Sequence, residues 1–302
     1  MDNKNQTNIY IPRNIALKSI YYYTYTSAFS QQKYIKEIIA NILNYIKDPN
    51  NRNNLDKIEI EARLGEFEFT GERIQLYREI TDTFLIPNFN EKKCNFHFKP
   101  GIKPELFFLI LSFFENEAKK DKDIKYKGVY IYNEKHYKSG KRFSSVIMNG
   151  KEERTEVIIK LDKKMFNVRN NRKDFRISVC KEMPTSIEPN DVIEIKRQKY
   201  RIAYDFNFFE FDFTITKEDN KDNYTYEVEI EFTKLKDELK YFPNIDENNL
   251  ERILNRFIEN VINLYTCFYF EPINDLKKYE ENLKGIKINN IFGNYCKNNL
   301  NK

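Results

Sequence analysis

The stretch IEIEARLGEFEF (Ile58–Phe69) decides how this chain is read. It alternates charge and hydrocarbon at the period of a β-strand, in which successive side chains point to opposite faces. Glu59, Glu61 and Arg63 fall on one face; Ile58, Ile60, Ala62 and Leu64 fall on the other. Near the other end, YEVEIEF repeats the pattern, with Glu227, Glu229 and Glu231 on one face and Val228, Ile230 and Phe232 on the other. Carboxylates stacked on one face repel each other unless a cation lies among them.

The same separation of faces runs through the strands between these two. Arg176, Ser178, Cys180 and Glu182 share a face, as do Arg197, Lys199 and Arg201, and Asp212 with Thr214. The opposite faces are mainly apolar: Phe175, Ile177 and Val179; Tyr200, Ile202 and Tyr204; Phe211 and Phe213. One such strand reads as a half-buried sheet with a wet face. Several, with acids gathered on the first and last and bases on another, read as a barrel with a charged lumen and an apolar exterior packed against helices. Such a lumen is costly unless something fills it. Acids call for a cation and bases for an anion, and a divalent metal on a polyphosphate answers both. Donors that are all oxygen suit magnesium or manganese.

Around these strands the pattern is helical. SAFSQQKYIKEIIANILNYIKDPN predicts an amphipathic helix over 27–47, capped by Ser27 or Ser30 and ended by Asp48-Pro49-Asn50. GIKPELFFLILSFFENEAKK predicts a second, with Pro104 in its first turn. DENNLERILNRFIENVINLYTCF predicts a third over 246–270. Between them KRFSSVIM, TEVIIKLD, DFRISVCKEM, DVIEIKRQKYRIAY and FEFDFTIT read as antiparallel strands, within a barrel spanning about 57–235. The expected class is α+β, with a closed antiparallel eight-stranded barrel and helices on its outside. One domain spans 27–272, after a polar leader (1–26) and before a tail (273–302).

Composition narrows the function. The chain has 302 residues, and 51 cations against 46 anions give a net charge of +5, a weak basic bias that favours polyanions. Its four cysteines have no C-x-x-C spacing and it has only two histidines, His97 and His136, which argues against a zinc site. The N-terminal MDNKNQTNIYIPRN carries no secretory signal pattern and no apolar run reaches membrane-span length, so an intracellular protein without a membrane is expected.

The ordered set of motifs resembles the triphosphate tunnel metalloenzymes, and within them the fungal, protozoan and DNA-virus mRNA 5′-triphosphatases (mRNA-capping enzyme subunit beta). The likeness runs from about Ser27 to Phe270. It rests on IEIEARLG and YEVEIEF, on FKPGIKPELFFLILSFF, on KRFSS, on DFRISVCKEMP, and on RQKYRIAY followed by FDFT. Ala203 departs from it, standing where the family often has Ser, and the connection from Arg201 to Asp212 is short.

The resemblance implies removal of the γ-phosphate of triphosphate-ended RNA, with Mn2+ or Mg2+ as cofactor. By that likeness Glu59, Glu61 and Glu231 hold the metal. Asp212 and Glu229 hold waters on it, and Glu227 completes the acidic face. Arg142, Lys199 and Arg201 grip the terminal phosphate. Lys160 and Glu182 form an orienting ion pair, and Arg63, Arg176, Arg197 and Thr214 support the others. It further implies a separate guanylyltransferase chain as partner, since no Lys-x-Asp-Gly motif is present. The state would be monomer or homodimer. The place would be the nucleus for a cellular enzyme and the cytoplasm or virus factory for a viral one. A same-fold enzyme for tripolyphosphate, thiamine triphosphate or free nucleotides remains an alternative, as does a non-catalytic module that binds polyphosphate or RNA ends. A lumen crowded with charge further predicts that removing Arg201 or Lys199 leaves the fold as stable or more so.

Overall fold

The computed structural model describes residues 33–52, 54–69, 72–73, 84–86, 96–148, 151–169, 174–206, 208–233, 235 and 247–267. The expected leader, the tail, Ser27 and Ser30 lie outside these residues. Strands are numbered β1 (Ile58–Phe69), β2 (Glu72–Arg73), β3 (Phe84–Ile86), β4 (Phe96–Pro100), β5 (Ile124–Tyr137), β6 (Lys141–Met148), β7 (Lys151–Arg169), β8 (Asp174–Pro184), β9 (Ile193–Phe206), β10 (Phe209–Glu218) and β11 (Tyr224–Phe232). Among the described residues the three long helices are α1 (Lys33–Lys47), α2 (Pro104–Ala118) and α3 (Glu247–Cys267).

The wall of the barrel runs β11-β10-β9-β5-β6-β7-β8-β1, every neighbouring pair antiparallel, and β1 pairs again with β11. The path therefore closes on itself with eight strands and no free edge. β2 and β4 pair with the far end of β1, and β3 pairs with β7. β1 changes neighbour on one side: Glu61 to Arg63 pair with β11, and Gly65 to Phe69 pair with β4. Gly65 marks the change. A Cβ there would sit 2.3 Å from the Lys99 carbonyl oxygen and 2.6 Å from the Phe98 ring, so no larger residue fits without moving β4.

The apolar core lies outside the barrel. Ile58, Ile60, Ala62 and Leu64 of β1 are buried together with Ile177 and Val179 of β8, with Ile35, Ile38, Ile42 and Ile46 of α1, and with Leu254, Phe257 and Ile258 of α3. α2 covers a second arc of the wall. Phe114 packs 4.8 Å from Phe211 and 5.2 Å from Phe213, ring to ring, and Phe107 packs 5.4 Å from Tyr226. Each buried Phe or Ile contributes about 1.5–3 kcal/mol, and this exterior core offsets the cost of a polar interior. Only part of the β5 exterior lacks such a cover: Ile124 is buried in the core and Val129 packs against it, whereas Asn133 and Lys135 are exposed.

Candidate active site

Cross-strand partners share a face, so the register lists the lumen directly. Glu61 opposes Glu231 and Arg63 opposes Glu229 across β1 and β11. On the other side of β1, Glu59 opposes Cys180, Glu61 opposes Ser178, and Arg63 opposes Arg176. Asp212 opposes Glu229 on one side and Ala203 on the other. Thr214 opposes Glu227 and Arg201, and Thr216 opposes Lys199. Lys160 opposes Glu182, while Arg142 opposes His136. Arg197 opposes Glu134, so the residues selected from the sequence share the tunnel-side face of their strands.

The tunnel is a lattice of ion pairs. Arg63 resolves the opening puzzle, because its guanidinium lies 2.8 Å from Glu61, 3.4 Å from Glu229 and 3.9 Å from Glu227. Arg201 reaches Asp212 at 2.6 Å and Glu229 at 3.4 Å, and its Nε donates to Thr214 Oγ1 at 3.3 Å. Lys160 Nζ donates to Glu59, and lies 3.3 Å from Glu182 and 3.9 Å from Glu61. Arg142 donates to Glu182 at 3.2 Å. Ser178 Oγ donates to Glu61 at 2.8 Å and Cys180 Sγ to Glu59 at 3.3 Å. Arg176 stands apart from this cluster: it donates to Asn167 Oδ1 at 2.7 Å and lies over the Phe98 ring at 4.7 Å.

The charges are unevenly compensated. Burial pushes the Glu61 carboxyl up, but Arg63 and Lys160 outweigh it and hold it well below the usual carboxylate range. Burial raises Glu231 far above that range, and its neighbours Glu59 and Asp212 raise it further. Burial and Glu61 raise Glu59 against the pull of Lys160. Asp212 is pushed up to about 7 by burial, which outweighs Arg201. Its Oδ1 is buried without a hydrogen bond. Ala203, its register partner, supplies no hydroxyl there.

Glu59, Glu61 and Glu231 could together hold a hard divalent cation. They offer oxygen donors alone, and burial with neighbouring carboxylates disfavours the charged form of Glu59 and Glu231, which a cation would favour. Among the described residues no three His, Cys, Asp or Glu side chains are already converged on a metal position. Lys160 occupies Glu59, while Arg63 and Ser178 occupy Glu61.

β5 brings residues that the sequence reading left out. Glu134 is buried, 3.1 Å from Lys199, 3.5 Å from Arg197 and 3.0 Å from His136. Arg197 Nε also donates to His136 Nε2 at 3.0 Å. Burial lowers the Lys199 amine below its ordinary range, with Glu134 as its principal opposing charge. The missed signal was the alternation Tyr130, Tyr132, Glu134, His136 in YIYNEKHY.

The sequence profile of the family described as "mRNA capping enzyme, beta chain" matches residues 30–268. Among solved structures, the S. pombe Pct1 RNA triphosphatase in complex with the Spt5 CTD superposes with a TM-score of 0.62 at 17% identity, over 78% of this chain and 94% of that one. The same enzyme solved without that partner gives 0.62 at 17%, over 78% and 93%. A Mimivirus capping enzyme triphosphatase matches at 0.41 and 14%, over 74% and 95%. No curated protein matches the chain. The fold is the triphosphate tunnel fold of Pct1. With most of its length, and all of its lumen strands, inside the matched region, this chain belongs to the family of mRNA capping enzyme beta chains.

Proposed function

We infer that this chain is a divalent-cation-dependent RNA 5′-triphosphatase. It hydrolyses the bond between the β- and γ-phosphates of a triphosphate RNA end, giving inorganic phosphate and a diphosphate end. The observation that carries this reading is the meeting, inside one closed tunnel, of Arg142, Lys199 and Arg201 with Glu59, Glu61 and Glu231. A terminal phosphate needs the first set, and a cation that neutralises it needs the second.

Glu59, Glu61 and Glu231 would hold the cation, which when bound supplies positive charge to the γ-phosphate oxygens. Arg201 is fixed by Asp212 and Glu229, and Lys199 by Glu134, so both are set before substrate arrives. Donors fixed in advance stabilise developing charge without reorganising. Arg142 and Lys160 share Glu182, which places that carboxylate between a phosphate-binding base and the acidic wall. Glu182, Glu227 and Glu229 are the carboxylates available to orient the attacking water or accept its proton. A separate guanylyltransferase chain would take the diphosphate end.

The test is release of labelled phosphate from γ-labelled triphosphate RNA, with Mn2+, with Mg2+ and with EDTA. Release that depends on the cation and leaves a diphosphate end supports the reading. Release unaffected by EDTA, or none from RNA while tripolyphosphate is consumed, overturns it.

A further inference from the structure

The tunnel wall carries one stretch that phosphate chemistry does not use. On the lumen face of β5, toward the rim where that strand begins, stand Tyr130 and Tyr132, both only partly buried. Their ring centroids are 6.4 Å apart. In register beside them on β6 are Met148 and Val146, and beyond Val146 on β7 is Arg154. Four apolar or aromatic groups thus gather side by side, next to the charged part of the lumen. Arg154 is 61% exposed at its side chain and lies close enough for its charge to bear on the Tyr132 hydroxyl.

This ledge joins the phosphate-binding bases directly. The Arg201 guanidinium lies 5.1 Å from the centre of the Tyr132 ring, while Asp212 and Glu229 hold its other side. Tyr130 is the register partner of Arg201, and Tyr132 of Lys199. A bulge between Tyr126 and Gly128 sets the rings there, and the Tyr130 hydroxyl donates back to the Lys127 carbonyl at 3.4 Å. An inorganic polyphosphate gains nothing from aromatic faces. A nucleoside carried at the end of a triphosphate gains a great deal, because base stacking on aromatic side chains tolerates any base.

We propose that Tyr130 and Tyr132, with Arg154 beside them, form the subsite for the first nucleoside of a triphosphate-ended strand. The base stacks on the tyrosine ledge, Arg154 meets the phosphodiester that follows it, and Arg201 links this subsite to the phosphate site. The proposal rests on the triphosphatase reading for its substrate class, but it concerns recognition and not hydrolysis.

The probe is a short triphosphate-ended RNA whose first base is 2-aminopurine, bound with Ca2+ as cation. The chain has no tryptophan, so stacking is read as quenching of the probe without that background. Wild-type protein is expected to quench it, and so are Tyr130→Phe and Tyr132→Phe. Tyr130→Leu and Tyr132→Leu are expected to lose the quenching while circular dichroism remains native. In turnover, Tyr130→Leu should raise KM for triphosphate RNA roughly tenfold more than KM for inorganic tripolyphosphate. Absence of quenching by wild type, quenching retained in both Leu variants, or equal KM changes for the two substrates overturns the proposal. Phosphate release from the same RNA is measured separately. Quenching without release sinks the triphosphatase reading alone; release without quenching sinks the stacking subsite alone.

Discussion

Glu61 and Glu231 are register partners at the seam where β1 meets β11, so the barrel closes on two opposed carboxylates. They are unequally supported: Glu61 has the Arg63 guanidinium and the Ser178 hydroxyl, whereas burial, then Glu59 and Asp212, push Glu231 up against the pull of Arg201. Glu61→Gln and Glu231→Gln should each lower single-turnover phosphate release about a hundredfold or more, and the double variant should fall little further, because groups acting as one unit are non-additive. Exposed Glu153→Gln serves as the control. Losses that multiply in the double variant would show that the two carboxylates do not serve one cation.

Arg201→Ala should abolish turnover and also lower stability, against the expectation that stripping lumen charge is harmless. Arg201 is not surplus, since its loss leaves Asp212 and Glu229 buried together without it. Removing one partner of a buried pair costs about 3–5 kcal/mol in a dry interior, and less where a tunnel admits water. Adding Asp212→Asn should recover part of the lost thermal stability. A Tm for Arg201→Ala at or above wild type would contradict this.

Asp212 gives the metal-free protein a pH signature. Its folded pKa of about 7 lies above the ordinary Asp value of 3.8, so the folded state binds the proton more tightly. Its contribution to stability is full below about pH 4 and is lost as pH rises through about 7. In EDTA, Asp212→Asn should flatten that part of the Tm profile between these limits. A wild-type slope that survives the substitution unchanged would assign it to another group.

Gly65→Ala should destabilise through backbone crowding. The new methyl would meet the Lys99 carbonyl and the Phe98 ring, both set by the pairing of β4 with β1. Overpacking of this kind costs about 1–3 kcal/mol. A denaturant midpoint equal to wild type would show that β4 yields freely.

The wall strands were legible because two demands agree along them. In β1 and β11 the lumen face is acidic and the other face meets helices, so charge and hydrocarbon alternate cleanly. β5 was not legible as a site strand, since its outer face is covered only in part and its inner face carries tyrosines. Asn133 and Lys135 outside, with Tyr130 and Tyr132 inside, invert the usual contrast. Glu134 was lost with it. Partner choice was also beyond the sequence: alternation assigns Arg63 to a face, but only register brings it to Glu229. The third helix, expected over 246–270, is described over Glu247–Cys267, and the first is described from Lys33.

The irregularity in β7 gives the wall a point of tolerance. Lys160 pairs with Glu182 and Met165 with Ser178, so five steps on β7 match four on β8, and Asp162 turns to φ 51° between them. From Arg154 to Lys160 even-numbered residues face the tunnel, and from Met165 onward odd-numbered ones do. Within the regularly paired stretches of the wall, deleting a single residue would reverse the phase of all that follows within the strand, sending carboxylates into the oily layer and isoleucines into the lumen. Deleting Lys163 would instead remove the extra step and leave both flanking segments in phase. A single-residue change of length is therefore absorbed at a bulge or a connection of this barrel, whereas a regularly paired wall strand must keep its residue count.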